Sequence, residues 1–288
     1  MKKNSLVYCI NPSQYEIFDE RINKPIWHRK LEQGQETGSM VSQEMDEINF
    51  PKNPFEFFAP NNVGMLLSIS QRYRKLAREL YDEKINPKKN NHSLVETDMD
   101  KKKFLQEKSI IAADYIELIQ ISIVFAYTAI ESFVNLSIPD DYKYEVKVKN
   151  KGITEIYDKV AIERWVSMGD KLSNILTDIY STSKIESQKF WSNLKSLEKN
   201  RHNIIHQKSI NRTEFYKEYF KESIFNQIDC VQSVMQFFYD AQSKEKKTNP
   251  LWPWAIGKEK KFPTTGFESE NFEVIGNLYE GKKKTKKR

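Results

Sequence analysis

The sequence predicts a mainly α-helical protein: an antiparallel helical bundle with a small N-terminal extension of mixed secondary structure. Turn-forming residues are scarce, with only 9 Gly and 10 Pro among 288 residues, which favours long helices over many short strands. The second half of the chain contains four amphipathic segments whose apolar residues recur at helical spacing. Because the connections between these segments are short, we expect consecutive helices to pack antiparallel.

The N-terminal extension begins with two short apolar runs. Leu6–Ile10 and Tyr15–Phe18 flank an Asn-Pro-Ser turn signal and are typical of a small hairpin. Asn61 or Asn62 then caps a helix that ends near Glu83. Its predicted buried stripe has one apolar residue in each turn: Met65, Ile69, Tyr73, Leu76 and Leu80.

The four helices of the predicted bundle follow a polar segment, residues 86–103. They run near Phe104–Leu136, Tyr157–Tyr180, Ile185–His206 and Thr213–Ala241. The first stops before Pro139, which cannot continue a helix. Its most apolar stretch, Tyr115–Ile130, contains Glu117 and is shorter than a membrane span, so we expect a buried helix and no membrane association.

Periodicity also predicts which side chains of these helices point inward. In the second helix they are Ile162, Trp165, Leu172, Ile175 and Ile179, and in the fourth they are Phe220, Ile224, Val231, Met235 and Phe238. The charged connector of residues 140–154 alternates polar residues with Val and Tyr, a pattern that fits a small strand.

The net charge of +6 comes from the end of the chain. Lys282–Arg288 carries six positive charges, and the remainder of the chain is electrically neutral. Such a run is either a solvated tail or a segment that holds a nucleic-acid backbone. The two cysteines, Cys9 and Cys230, suggest neither a disulfide framework nor a metal-ligand spacing, so we expect a cytoplasmic protein.

Arg201 breaks the pattern of the third helix. It lies in the middle of an apolar arc formed by Phe190, Leu194, Leu197, Ile204 and Ile205. A guanidinium keeps its proton at such a position, so it needs an anion or a wet cleft. Breaks of this kind are typical of functional sites or of specific polar networks.

His206 lies five residues after Arg201, which corresponds to a rotation of about 140° around an ideal helix. Histidine suits proton transfer near neutral pH, and arginine suits the stabilisation of a developing phosphorane. Such a pair could cleave RNA without a metal.

The two side chains would converge if Arg201 extends sideways, if the helix loosens near His206, or if a second copy of the chain supplies one of them. Alternatively, Arg201 forms a structural ion pair with Glu131 or Glu117, and His206 is a polar helix end.

Three segments together resemble the HEPN family of helical domains. The first is EKNRHNIIHQ, Glu198–Gln207, whose Arg-x4-His spacing matches the family signature, although His202 replaces the usual Asn or Asp. The others are Ala126–Pro139 and Ile162–Leu176 on the preceding helices. The resemblance covers roughly residues 104–240.

The resemblance implies a dimeric, metal-independent endoribonuclease of bacterial stress or antiphage defence, with two Arg–His pairs in one composite cleft. His206 would be the general acid and base, and Arg201 the phosphate stabiliser. His202 and Asn203 would be neighbours of the cleft, and Glu131 an anchor for Arg201. The expected partners are an RNA substrate, a second copy of the chain, and an antitoxin or regulatory protein.

Members that are toxins paired with a nucleotidyltransferase carry a Tyr two residues after the His. Lys208 stands there in this chain, which argues against inactivation by tyrosine modification. The alternative function is a non-catalytic HEPN-like module that binds proteins or nucleotides. We expect no cofactor and no metal, because His202 and His206 lack further Cys or His ligands nearby.

Three regions are predicted on this basis. Residues 1–100 form a mixed region of unknown role, residues 101–243 form the HEPN-like bundle, and residues 244–288 form a C-terminal extension with the basic tail.

Overall fold

The protein is mainly helical, as predicted. The computed structural model describes residues 5–10, 19, 21–22, 25–32, 35–97, 100–148, 153–206, 214–245, 264–266 and 272–277. Helices make up more than half of the described residues. The basic tail lies outside the described residues.

The helices differ in length from one short turn to ten turns. They are α1 Asn62–Leu80, α2 Lys101–Ser137, α3 Lys159–Trp165, α4 Met168–Asp170, α5 Thr177–Ile179, α6 Trp191–Ile205, α7 Tyr216–Tyr219 and α8 Ser223–Glu245. A π-helical turn, Tyr81–Ile85, extends α1, and another, Lys171–Leu176, joins α4 to α5. A 3₁₀ turn, Ile185–Ser187, precedes α6.

Side-chain caps fix where several helices begin. The Asn61 side chain accepts a hydrogen bond from the Gly64 N–H, which confirms the predicted start of α1. Asp100 caps α2 in the same way. At the other end, α2 stops at Ser137, before Pro139, as predicted.

Helix α2 is the centre of the core and contacts α1, α6 and α8. It runs antiparallel to α1: Ser70 within α1 donates to the Ser122 carbonyl, whereas Tyr81, just after α1, contacts the earlier residue Tyr115, with ring centroids 5.9 Å apart. It runs parallel to α8, since Tyr115 contacts Phe220 just before α8, while Phe133 contacts Phe238 further along both helices. The helices therefore pack around α2 with mixed directions, and the predicted HEPN-like bundle remains a prediction.

The predicted second helix is interrupted. Residues 153–157 form a strand, and Val166 and Ser167 adopt extended backbone between α3 and α4. Ser167 accepts a hydrogen bond from the Asp170 N–H and so caps a new helix. The interruption rotates α3 relative to the rest, and Trp165, which was predicted to be inward, is 68% exposed.

Other helix boundaries and faces also differ from the prediction. Helix α6 begins at Trp191, later than residue 185, and the predicted fourth helix is divided into α7 and α8. Ile205 is half exposed, although the apolar arc of α6 included it. In α1, the predicted stripe residues Met65 and Leu76 are exposed, and the buried apolar side chains are instead Val63, Leu67, Ala77 and, in the π turn, Tyr81.

Eight strands form two sheets within the described residues. Their bounds are β1 Ser5–Ile10, β2 Pro25–Glu32, β3 Gln35–Ile48, β4 Phe55–Phe58, β5 Tyr144–Val148, β6 Ile153–Tyr157, β7 Thr264–Gly266 and β8 Phe272–Asn277. The first sheet has the order β7-β2-β3-β1-β8, with β4 also paired to β3. Strands β5 and β6 form an antiparallel hairpin, which confirms the expected strand in the connector.

The first sheet joins the two ends of the chain. Strand β3 pairs antiparallel with β1, β2 and β4, whereas β7 and β8 add parallel strands to β2 and β1. The predicted strand at Leu6–Ile10 is confirmed, but it pairs with β3 and β8. Its expected partner, Tyr15–Phe18, lies outside the described residues. The three predicted regions remain a prediction, although α1, which precedes residue 100, packs along α2.

By length and composition alone, one helix in the described part of the chain, α2, would be able to cross a membrane. Its most apolar window of 18 residues has a mean hydropathy of 1.7 and is 28% buried. A single helix of this kind is weak evidence for a membrane span, because core helices of soluble proteins share these properties.

Candidate functional site

Arg201 lies on α6 at the surface where this helix meets α2. Its side chain is 30% exposed, and its terminal nitrogen lies 3.7 Å from a carboxylate oxygen of Glu131. The guanidinium also sits over the ring of Tyr127, 5.3 Å from the ring centroid. Within the described residues, Glu131 is the only carboxylate within 4 Å of this guanidinium. The predicted pairing is thus made with Glu131, not with Glu117.

Tyr127 is held in place below the guanidinium by a second acidic residue. Its hydroxyl donates to Glu198 Oε1 at 3.1 Å, and Lys195 pairs with the other carboxylate oxygen of Glu198. Burial, and then the negative charge of Glu198, raises the pKa of Tyr127, so the phenol stays protonated. Arg201 therefore rests on a fixed aromatic face that adds a cation–π contact.

Lys171 is a buried cation behind Glu131. It is 4% exposed, and its Nζ donates to Asn135 Oδ1 at 2.9 Å and to the carbonyl of Glu163 at 3.0 Å. Asn135 follows Glu131 by one turn on α2, so both side chains lie on the same face of that helix. Burial lowers the pKa of Lys171, while the charges of Glu163 and Glu131 oppose this shift.

His202 and His206 form a pair of exposed imidazoles at the end of α6. Their ring centroids lie 4.8 Å apart, with an angle of 48° between the planes. The His206 N–H donates to the His202 carbonyl at 2.9 Å, and His206 has left the helical conformation, with φ −117° and ψ 54°. The helix therefore ends at His206, and loosening of the helix there is one of the three ways in which this side chain could approach Arg201.

The structure brings some predicted site residues together and leaves others apart. Arg201 meets Glu131, and His202 meets His206. Among the described residues, no hydrogen bond or ion pair joins Arg201 to His206. Asn203 is half-buried beside them on α6.

Several polar residues of the site were not identified from the sequence: Tyr127, Lys171, Lys195 and Glu198. Helical spacing could have pointed to two of them. Tyr127 precedes Glu131 by four residues on α2, and Glu198 precedes Arg201 by three on α6, so each shares a face with a predicted residue. Lys171 gave no such signal, because its partners Asn135 and Glu163 lie on other helices.

The protonation of Glu131 should make the stability of the fold depend on pH. Its pKa is raised, chiefly by burial, although Arg201 and then Lys171 oppose this. The folded protein thus binds the proton more tightly than the unfolded chain. This contribution to stability is fully present below the usual value of 4.5 and is lost as pH rises through the raised pKa. In Glu131→Gln, we expect a smaller loss of stability over this range.

Urea unfolding of both proteins at a series of pH values from 4.5 upward measures this difference. Glu79→Gln, on the exposed side of α1, is the matched control. A Glu131→Gln variant whose stability falls with pH as steeply as that of the wild type would contradict the assignment.

Within the described residues, no group of three or more His, Cys, Asp or Glu side chains is arranged to hold a metal ion.

The chain was also compared with known proteins. No protein-family model, no curated protein and no solved structure matches the chain, so the likeness to HEPN domains rests on the residues quoted above.

Proposed function

We propose that the protein is a metal-independent endoribonuclease of the HEPN type, with Arg201 and His206 in its active site. The observation that supports this most strongly is the setting of Arg201. Its guanidinium is oriented by Glu131 and Tyr127 but remains 30% exposed, and one exposed imidazole pair lies at the end of the same helix. A fixed, accessible cation beside a proton-transfer group suits phosphoryl transfer.

The proposed reaction needs only the RNA and these side chains. His206 removes the proton of the 2′-hydroxyl, and the 2′-oxygen attacks the adjacent phosphorus. Arg201 donates hydrogen bonds to the phosphorane oxygens as negative charge builds up on them. The bond to the 5′-oxygen breaks, and this oxygen receives a proton from an imidazolium. The products are a 2′,3′-cyclic phosphate and a free 5′-hydroxyl.

The site is proposed to be completed by a second copy of the chain. Among the described residues, no hydrogen bond or ion pair joins Arg201 to His206, and five positions along an ideal helix correspond to a rotation of about 140°. A symmetric dimer with α6 of each copy at the interface would place two such pairs in one cleft. Bacterial stress or antiphage defence in the cytoplasm, controlled by an antitoxin or regulatory partner, is the setting that we propose for this activity.

Replacement of His206 tests the proposal. Because general acid–base catalysis contributes about 10²–10⁴-fold, His206→Ala should lower the cleavage rate by that factor. The side chain is exposed, so the thermal melt should change little. Cleavage of single-stranded RNA is measured in EDTA, and His92→Ala, an exposed histidine on the loop before α2, is the matched control.

Two results would count against this assignment. Full cleavage by His206→Ala in EDTA would refute the mechanism. A complete loss in His202→Ala, with normal cleavage by His206→Ala, would transfer the proton-transfer role to His202.

A non-catalytic helical interaction module is the second candidate. The ion pair between Arg201 and Glu131 favours it, because such a pair can serve to join α6 to α2. Under this function, Arg201→Ala would lower stability, and no variant of His206 would change any activity on RNA.

A further inference from the structure

Trp165 is an exposed indole at the end of α3. It is 68% exposed, although Trp side chains usually bury most of their large apolar surface. The guanidinium of the adjacent Arg164 lies over the indole, 5.3 Å from the ring centroid. A cation that covers one face of an indole orients the ring and leaves the opposite face for another planar group.

Arg164 also offers a charge that is not neutralised locally. Among the described residues, no carboxylate lies within ion-pair distance of its guanidinium. An aromatic ring beside an uncommitted arginine is the combination that binds single-stranded nucleic acid: the ring stacks on a base, and the cation contacts a phosphate.

Two contacts place the end of α3 next to the Arg201 site. The Glu163 carbonyl, two residues before Trp165, accepts a hydrogen bond from Lys171, whose charge in turn acts on Glu131. On the other side, a Cβ at Gly169 would lie 3.8 Å from Lys195 Nζ on α6. Helix α4, which follows Trp165, therefore lies beside the first half of α6, about two turns before Arg201 on that helix.

We propose that Arg164 and Trp165 form an RNA-binding subsite that borders the Arg201–His206 site. A base of single-stranded RNA stacks on the indole of Trp165, and Arg164 contacts the neighbouring phosphate. This inference rests on the proposed ribonuclease function and names a further part of the same substrate site. It also gives a reason why a large aromatic residue remains in contact with water.

Binding of a single-stranded RNA decamer tests the subsite. Fluorescence anisotropy with the full chain carrying His206→Ala measures binding without cleavage. Trp165→Ala should raise Kd by roughly 5- to 100-fold, and Trp165→Phe should restore most of the affinity, because a phenyl ring can still stack. Arg164→Ala should weaken binding. It should also reduce the slope of log Kd against log salt by about 0.7, the amount expected for the loss of one phosphate contact on a single strand.

Val160→Ala is the matched control, since Val160 is an apolar residue of the same helix and is 70% exposed. Its Kd should stay within about twofold of the parent. If Trp165→Ala binds RNA as the parent does, the inference is wrong. If Trp165→Ala changes only the oligomeric state in size-exclusion chromatography, the indole is covered by a second copy of the chain, which also overturns the inference.

The failure of the subsite is distinguishable from the failure of the nuclease. A wild-type protein that cleaves RNA, together with unchanged binding in Trp165→Ala, refutes the subsite alone. A wild-type protein that neither binds nor cleaves RNA refutes the proposed function and the subsite together.

Discussion

Arg201→Ala is expected to lower the rate of RNA cleavage by about 10²–10³-fold, because it removes the cation that stabilises the phosphorane. The cost in stability should be small. The side chains of Arg201 and Glu131 are 30% and 33% exposed, and their single contact is 3.7 Å long, so water can solvate the carboxylate that remains. We therefore expect the free energy of unfolding to fall by about 1 kcal/mol or less. So small a loss of stability would not account for the expected loss of cleavage.

Arg74 provides a closely matched control for this result. Its terminal nitrogen lies 2.5 Å from Asp229 on another helix, and its guanidinium sits 5.3 Å from the ring centroid of Phe225. It thus makes the same two kinds of contact as Arg201, but between α1 and α8. Arg74→Ala should match or exceed the stability loss of Arg201→Ala and should cleave RNA normally. Parallel losses of stability and equal cleavage in both variants would instead favour the interaction module.

Phe133→Ala is expected to destabilise the fold by about 3–5 kcal/mol, the usual cost of removing a buried phenyl ring. Phe133 is fully buried in α2 and packs against Phe238 of α8, with ring centroids 6.3 Å apart. The cavity would lie where the two longest helices of the core meet, so the loss should appear in the global transition. Urea unfolding gives the free energy, and the melting temperature should fall by roughly 10 °C.

Leu136→Ala serves as the control for Phe133→Ala. Leu136 lies one turn further along α2 and is 49% exposed, so its truncation should change stability by about 0.5 kcal/mol or less. A Phe133→Ala protein that loses under about 1 kcal/mol would mean that the core does not have the packing described.

Sequence periodicity located the helices well and their faces less well. The start of α1 follows from Asn61 and the end of α2 from Pro139, since capping and chain-breaking act locally. The face of α3 could not be predicted, because the wheel assumed one continuous helix and the break at Val166 rotates Trp165 outward. In α1, both sides are apolar, and only the packing against α2 decides that Leu67 is buried and Met65 exposed.

The site was predictable in part for similar reasons. Arg201 stands out because it interrupts an apolar arc, and Glu131 was one of two acids within reach on the long helix. Lys171 was not predictable, since its partners Asn135 and Glu163 lie on other elements and are joined only by the tertiary fold. The parallel pairing of β1 with β8 spans almost the whole chain, and local sequence patterns contain no information about it.

The sheet that joins the two ends of the chain affects how the oligomeric state has to be measured. Strands β7 and β8 occupy the outer edges beside β2 and β1. A protein shortened after α8 would leave the backbone N–H and C=O groups of both inner strands open, and open strand edges pair readily with other molecules. Association through such edges would resemble the proposed dimer in a sizing experiment while leaving α6 uncovered. The proposed homodimer should therefore be tested on the full chain, with an α6 variant such as Ile205→Asp to show which surface associates.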